Sequence, residues 1–286
     1  MNDLLNTMLQ RFHPKNNKER ENAIKEIIQE IALSGLSRGG FFQVAAFYGG
    51  SCLRLFYGLN RFSEDLGFAL LKKDDFFSLQ PYFPALERAF SSFGLSVQVE
   101  SKPADKEIRT AFIKGNTLML MMNFFPESEE ARHFVSNQKI RVKFEVDTDN
   151  PEGGESVLRY RYLPTPYEVR VFDEPTLFAG KIHAILCREY QNRVKGRDYY
   201  DYLFYIGKGS HLNLKYLENK LKNSGKIDSD TTCTIEMVKD MLQKKFVSTD
   251  YESAKEDVRG FIQDEEGLSL WSPALFLSTL DSLKAC

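Results

Sequence analysis

The stretch Phe47–Leu70 constrains the fold of this chain more than any other segment. Its pattern, with the apolar run before it, predicts a buried strand over Phe41–Tyr48, a Gly-Gly-Ser turn at residues 49–51, a short helix, and a second strand over Arg61–Leu70. Glycines let a backbone approach a ligand closely, and the unpaired amides at a helix start attract anions. One carboxylate, Asp65, lies on the second strand. The stretch therefore predicts an anion-binding turn that is followed by an acidic strand.

Three residues of the turn, Gly49, Gly50 and Ser51, are candidate contacts for the phosphates of a nucleotide. The hydroxyl of Ser51 can either cap the helix or touch a phosphate. A tight connection between strand and helix, without any ligand, is the alternative interpretation of such a turn.

The acidic strand has a gap at the position where metal chemistry would need a second acid. Successive side chains of a strand point to opposite faces, so Asp65 and residue 67 share one face. Two carboxylates there could bind divalent cations, which prefer oxygen ligands, and support phosphoryl or nucleotidyl transfer. Gly67 occupies the second position. A metal site therefore requires an acid from elsewhere in the fold.

The strand predicted over residues 139–148 offers such an acid. Its apolar and charged residues alternate, so that one face is core and the other is charged; the charged residues are Arg141, Lys143, Glu145 and Asp147. Glu145 or Asp147 could complete a site with Asp65 if the two strands are neighbours. A charged face that is merely solvated is the alternative.

Two helices further along carry a second group of charges. Lys181 lies on the first helix, and the segment 195–201 places Asp198 at the start of the next. A lysine facing nucleotide phosphates and an aspartate in the same cleft would suit nucleotide chemistry. A surface network of salt bridges between the helices is the alternative.

The composition bounds the class of protein. The chain has 286 residues and a net charge of -2, so no overall basic field indicates nucleic acid. The cysteines and histidines are scattered without zinc-site spacing. We expect a cytoplasmic protein without a membrane span, because no apolar stretch approaches the ~20 residues that a span requires.

Gly115-Asn116 predicts a hairpin turn into a strand over residues 117–124.

Taken together, these segments resemble the AbiEii family of nucleotidyltransferase-like proteins, which includes MenT-type toxins. The first family motif is matched by Gly49, Gly50, Ser51, Leu53, Arg54, Arg61, Ser63, Asp65, Leu66 and Phe68. The later motif is matched by Lys181, Ala184, Lys195, Arg197, Asp198, Tyr200 and Asp201. Each piece is weak alone, but several unrelated pieces occur in the family's order.

The resemblance implies an α+β fold: a DNA polymerase β-like nucleotidyltransferase core with a mixed sheet in residues 1–166, and a helical domain in 167–286 that completes the cleft. It also implies that an NTP and Mg²⁺ bind, that a nucleotide moves to an acceptor such as a tRNA 3′ end, and that a cognate antitoxin exists. The family pattern assigns metal binding to Asp65, a cleft carboxylate to Asp198, and triphosphate contacts to Ser51 and Lys181. Ser63 joins the nucleotide-binding residues, and it matches a serine that phosphorylation silences in some relatives.

Gly67 departs from the family pattern, which has a second aspartate there. Either Glu145 joins Asp65 as metal ligand, or the chain is a degenerate member that binds a nucleotide, RNA or a protein partner without catalysis. Transfer to a protein or a small molecule is a further alternative, because one fold can serve several acceptors.

Overall fold

The structure is a computed structural model that describes residues 3–103, 107–116, 119–120, 124–125, 139–188 and 194–286. The chain forms two compact units. The first, here called the sheet unit, comprises Met1–Cys52, Phe62–Asn150 and Val157–Val171. The second, here called the helical unit, comprises Leu53–Arg61, Pro151–Ser156 and Phe172–Cys286.

A mixed sheet of seven strands organises the first unit, in the order β3-β4-β5-β2-β1-β7-β6. β2 runs antiparallel to β1 and parallel to β5, and β4 runs antiparallel to both β3 and β5. The strands are β1 Ala45–Tyr48, β2 Leu66–Leu70, β3 Gln98–Ser101, β4 Ile108–Asn116, β5 Lys139–Asp147, β6 Ser156–Arg161 and β7 Tyr167–Phe172.

Aromatic rings fill the core against one face of this sheet. The Phe68 ring lies 5.0 Å from that of Phe41 and 4.9 Å from that of Phe144, centroid to centroid. Both contacts are edge-on, the geometry that aromatic quadrupoles favour. The helices of this unit are α1 Asp3–Leu9, α2 Asn17–Arg38, α3 Gly49–Cys52 and α4 Phe83–Ser91, and α2 packs on α4 and β5. Since the helices cover one face, the charged face of β5 lies on the other.

The second unit is built from helices α5 Glu174–Cys187, α6 Gly196–Lys208, α7 Leu214–Asn223, α8 Ile235–Ser248, α9 Tyr251–Arg259 and α10 Pro273–Ser278, with a small parallel pair of strands, β8 His211–Leu212 and β9 Lys284–Ala285. A Cβ on Gly196 would lie 1.7 Å from the carbonyl oxygen of Ala254, so only glycine permits the close contact of α6 with α9. Within the described ranges, no helix combines the length and the apolar character needed to cross a membrane.

The α+β class, the mixed sheet and the helical C-terminal region agree with the sequence prediction, but several boundaries differ. Residues 41–43 form a 3-10 turn, so β1 is shorter than predicted. The second strand begins at Leu66 and not at Arg61, so Asp65 precedes this strand and does not lie on it. The predicted hairpin at Gly115-Asn116 is wrong, because β4 continues through Asn116 and pairs with β5. Its predicted second strand falls mainly outside the described residues, and Met119, Leu120 and Phe124 are helical.

Candidate active site

The turn from β1 into α3 requires glycine at its first residue. Gly49 has a φ of +84°, in the left-handed region that side chains disfavour. Two residues later, Ser51 is fully buried, and its Oγ donates a 2.5 Å hydrogen bond to the carbonyl oxygen of Asp65. The structure thus gives Ser51 a positioning role towards Asp65, and the phosphate contact of Ser51 stays a prediction.

The segment that leads into β2 is held at two further points by α2. Gln29 donates from Nε2 to the carbonyl oxygen of Ser63 at 2.8 Å, and Lys25 Nζ lies 3.0 Å from the Glu64 carboxylate. Asp65 itself is exposed and directly precedes the first residue of β2. The fold therefore fixes the backbone around Asp65, while Asp65 itself stays accessible to solvent.

Strand register places Glu145 beside Gly67, the position where the family motif has an acid. Gly67 on β2 is paired with Glu145 on β5 and with Tyr48 on β1. Residues paired across adjacent strands project to the same face of a sheet. The strand adjacency that the sequence argument required is present, and Glu145 is the acid that lies directly beside Gly67.

The Glu145 carboxylate already has a cationic neighbour on that face. Its Oε1 lies 2.5 Å from Lys143 Nζ, and the two side chains are 33% and 37% exposed. An ion pair this exposed contributes only about 0–1 kcal/mol to stability. Glu145 can therefore exchange Lys143 for a metal ion at little cost.

The carboxylates of Asp65 and Glu145 suit Mg²⁺ when oxygen atoms of the substrate and of water complete the coordination shell. Among the described residues, no group of three or more His, Cys, Asp and Glu side chains could hold a metal. Magnesium is commonly held by one or two carboxylates, with phosphate and water oxygens filling its octahedral shell. Asp65 and Glu145 are suitable in number and chemistry for such a shared site.

The helical unit contains a buried charge network, defined here as Arg61, Lys181, Arg188, Asp198 and Asp201. Arg61 donates from both Nε and a terminal nitrogen to the two oxygens of Asp201, each at 2.6 Å. The two side chains are 3% and 0% exposed. This bidentate pair is fully desolvated, unlike the surface salt bridges that the sequence left as an alternative.

Lys181 joins the two aspartates of the charge network. Its Nζ lies 2.7 Å from Asp198 Oδ1 and 2.8 Å from Asp201 Oδ2. Arg188 contacts the other Asp198 oxygen at 2.6 Å. Three of these five side chains are cations and two are carboxylates.

The network determines the ionisation of Asp198. Burial alone would raise the pKa of this carboxyl, but the charges on Lys181 and Arg188 outweigh it and hold the pKa well below its ordinary value of 3.8. A depressed pKa stabilises the folded state above pH 3.8, and the contribution is lost as the pH falls further. Asp198 is therefore ionised at neutral pH.

We expect Asp198→Asn to be most destabilising at neutral pH. The difference in free energy of unfolding between wild type and variant should shrink as the pH falls below 3.8, because the carboxyl of the unfolded chain takes up a proton there while the folded carboxyl stays ionised. Urea denaturation of both proteins between pH 3 and pH 7 measures this difference. A difference that stays constant over the range would contradict the assigned pKa shift.

No role for Arg61 or Asp201 was predicted from the sequence, although both match family motif positions. They are separated by 139 intervening residues, and no local pattern predicts that they meet. The residue types could have suggested the contact, because an arginine and an aspartate can form a bidentate ion pair and both occur in motifs that the family shares. The placement of Lys181 beside Asp198 agrees with the sequence expectation that they share one cluster.

The sequence profile of the family described as nucleotidyl transferase AbiEii toxin, type IV TA system, matches residues 31–276. The chain belongs to the AbiEii family. It is therefore a member of a family of nucleotidyltransferase toxins, as its motifs predicted. No curated protein sequence matches the chain.

Solved structures give the same fold. The MenT4 nucleotidyltransferase toxin of Mycobacterium tuberculosis H37Rv is 14% identical, with a TM-score of 0.57 over 100% of this chain and 91% of that one. JHP933 from Helicobacter pylori is 15% identical, with a TM-score of 0.50 over 94% and 95% of the two chains. At these identities the likeness supports the shared fold, while the enzyme class of this AbiEii member rests on the family.

Proposed function

We propose that this AbiEii member is an active, Mg²⁺-dependent nucleotidyltransferase that moves a nucleotide from an NTP to the 3′ end of a tRNA. In this proposal it is the cytoplasmic toxin of a toxin–antitoxin pair. The proposal of an active enzyme rests on the pairing of Glu145 with Gly67, which supplies an acid beside the position where the family motif has its second aspartate. Family membership supports the NTP substrate and the antitoxin partner.

The proposed metal ligands are Asp65 and Glu145. Mg²⁺ bound there would neutralise charge on the phosphates and on the pentacoordinate phosphorus. The acceptor hydroxyl would attack the α-phosphorus and release its proton to water, a new P–O bond would form, and the bond to pyrophosphate would break. The hydrogen bond from Ser51 to the Asp65 carbonyl oxygen supports this role, because it fixes the backbone from which the carboxylate extends.

The proposed nucleotide contacts come from the turn and from the charge network. The amides of Gly49 and Gly50 suit phosphate oxygens, and Ser63 lies two residues before Asp65. Lys181 is proposed as a triphosphate contact on the strength of the family motif. Asp198 is the proposed motif carboxylate that orients the Lys181 ammonium, with which it is in contact.

A non-catalytic, nucleotide- or partner-binding function is the second candidate, and Gly67 itself favours it. Beside this glycine lies the Tyr48 side chain, whose Cζ would be 3.6 Å from a Cβ at position 67. The Tyr48 carbonyl oxygen would be 3.4 Å from the same Cβ, and both distances are ordinary van der Waals contacts, so position 67 accepts a Cβ without displacing the backbone. The family acid can therefore be restored experimentally.

Gly67→Asp separates the two candidates when it is combined with Glu145→Gln. We expect wild type to transfer label from an α-labelled NTP to RNA, and Glu145→Gln to lose most of that activity. In the Gly67→Asp background, Glu145→Gln should be tolerated, because the introduced aspartate then supplies the second carboxylate. Each of the four NTPs is tested with Mg²⁺ and total RNA, and labelled RNA is quantified on a gel.

The matched control is Gly260→Asp, which adds the same side chain at an exposed position with open space around it. It should leave transfer unchanged. Label transfer by Gly67→Asp but not by wild type would overturn catalysis by the natural chain and establish the second candidate. Equal transfer by wild type and Glu145→Gln would remove Glu145 from the metal site.

A further inference from the structure

An aromatic side chain surrounded by cations lies on the charged face of β4 and β5 in the sheet unit. Phe112 on β4 is half-buried and is paired with Lys143 on β5. Lys102 Nζ lies 5.0 Å from the Phe112 ring centroid, and Lys114 Nζ lies 6.0 Å from it. The ring is therefore the centre of a basic cluster.

This cluster forms a concave surface, here called the Phe112 platform. Its cavity of about 160 Å³ is lined by Glu100, Ser101, Lys102, Phe112, Lys114 and Arg141. Three of the lining side chains are cations and one is an acid. Glu100 forms an ion pair with Lys114, so the platform keeps an excess of positive charge.

The Phe112 platform shares a sheet face with the proposed metal ligands. Register pairs Phe112 with Lys143, and two residues further along β5 Glu145 pairs with Gly67. With ~4.8 Å between strands and ~3.3 Å per residue along them, the Phe112 and Gly67 positions are about 12 Å apart. Three or four stacked nucleotides, at about 3.4 Å each, span that distance.

We propose that the Phe112 platform binds the single-stranded end of the polynucleotide acceptor. A base stacks on the Phe112 ring, and Lys102, Lys114 and Arg141 contact the backbone phosphates. The inference rests on the proposed function, since it places the acceptor strand on the face that carries Asp65 and Glu145. It adds a residue-level binding site for that strand.

The chemistry of the platform favours a single-stranded nucleic acid over other ligands. Single strands are bound by aromatic rings that stack bases and by a basic groove that follows the backbone. Exposed cation–π contacts contribute only about 0.5–1 kcal/mol, so Lys102, which is exposed, can leave the ring when a base displaces it. The long side chains of Lys102 and Lys114 reach phosphates on either side of the ring.

The test measures binding of a fluorescent, unstructured RNA 12-mer to the full chain by anisotropy, in EDTA and without NTP. Phe112→Ala should weaken binding about tenfold, and Phe112→Trp should restore it, because stacking depends on the aromatic face. Lys114→Gln and Arg141→Gln should each weaken binding and reduce the slope of log affinity against log salt by about 0.7. The control is Lys244→Gln, an exposed lysine on α8, which should change neither.

Wild-type affinity in Phe112→Ala, or in both charge variants, would overturn the proposal, as would an absence of RNA binding by wild type. Circular dichroism verifies that each variant is folded, and the charge variants provide the test if Phe112→Ala does not fold. The readout excludes metal and NTP, so it is independent of catalysis. Loss of binding in the variants of a protein that transfers no label would refute the proposed function while supporting the platform.

Discussion

Asp65→Asn should reduce nucleotide transfer to RNA at least about a hundredfold. The amide keeps the size of the carboxylate but removes the charge that would hold a divalent cation and offset the negative charge on the phosphates, a contribution of several kcal/mol. Initial rates of label transfer at saturating Mg²⁺ measure the effect. Because Asp65 is exposed, the thermal midpoint of unfolding should change little.

The control is Asp75→Asn, which neutralises another acid of the sheet unit. The Asp75 side chain is 66% exposed and lies 3.9 Å from Lys73. It should transfer nucleotide at the wild-type rate. An Asp65→Asn protein that retains more than half of the wild-type rate would show that Asp65 does not hold the metal.

Asp201→Asn should have the largest effect on stability, lowering the free energy of unfolding by about 3–5 kcal/mol. The substitution leaves the Arg61 guanidinium, whose side chain is 3% exposed, without its charged partner in a desolvated setting. Lys181 also loses one of its two carboxylate contacts. Guanidinium denaturation followed by circular dichroism measures the loss.

A comparison with an exposed pair tests whether burial is the cause. Glu256→Gln breaks the pair of Glu256 with Arg259, whose side chains are 75% and 48% exposed, and should cost less than about 1 kcal/mol. The double variant Arg61→Met/Asp201→Leu should be more stable than Asp201→Asn, because it removes both buried charges. Similar losses for Asp201→Asn and Glu256→Gln would refute the burial argument.

Local sequence pattern was sufficient to predict the elements that surround the candidate site. The glycine turn and the alternating faces of β5 are encoded by nearest neighbours and by the two-residue period of a strand. The placement of Asp65 on the second strand was wrong by one residue, because β2 begins at Leu66. The predicted strand over 41–48 was too long, because an apolar run does not distinguish a strand from the 3-10 turn at residues 41–43.

Register and long-range pairing could not be predicted in the same way. Whether Glu145 or Asp147 lies beside Gly67 depends on a parallel alignment between strands that are separated by about 70 residues of chain, and no turn fixes that alignment. The same holds for Arg61 and Asp201, whose contact depends on helix packing. The hydrogen bond from Ser51 to the Asp65 backbone was also unforeseen, since hydroxyl partners depend on final geometry.

The pairing of Gly67 with Glu145 makes one acid of the proposed metal site dependent on sheet alignment. Two acids on one strand have a spacing that is fixed by covalent geometry, whereas here the spacing requires β2 and β5 to assemble correctly. A slip of one residue would turn Glu145 towards the aromatic core and expose Phe144 in its place. Substitutions that loosen this strand pair should therefore inactivate the protein at temperatures where the rest of the chain is still folded.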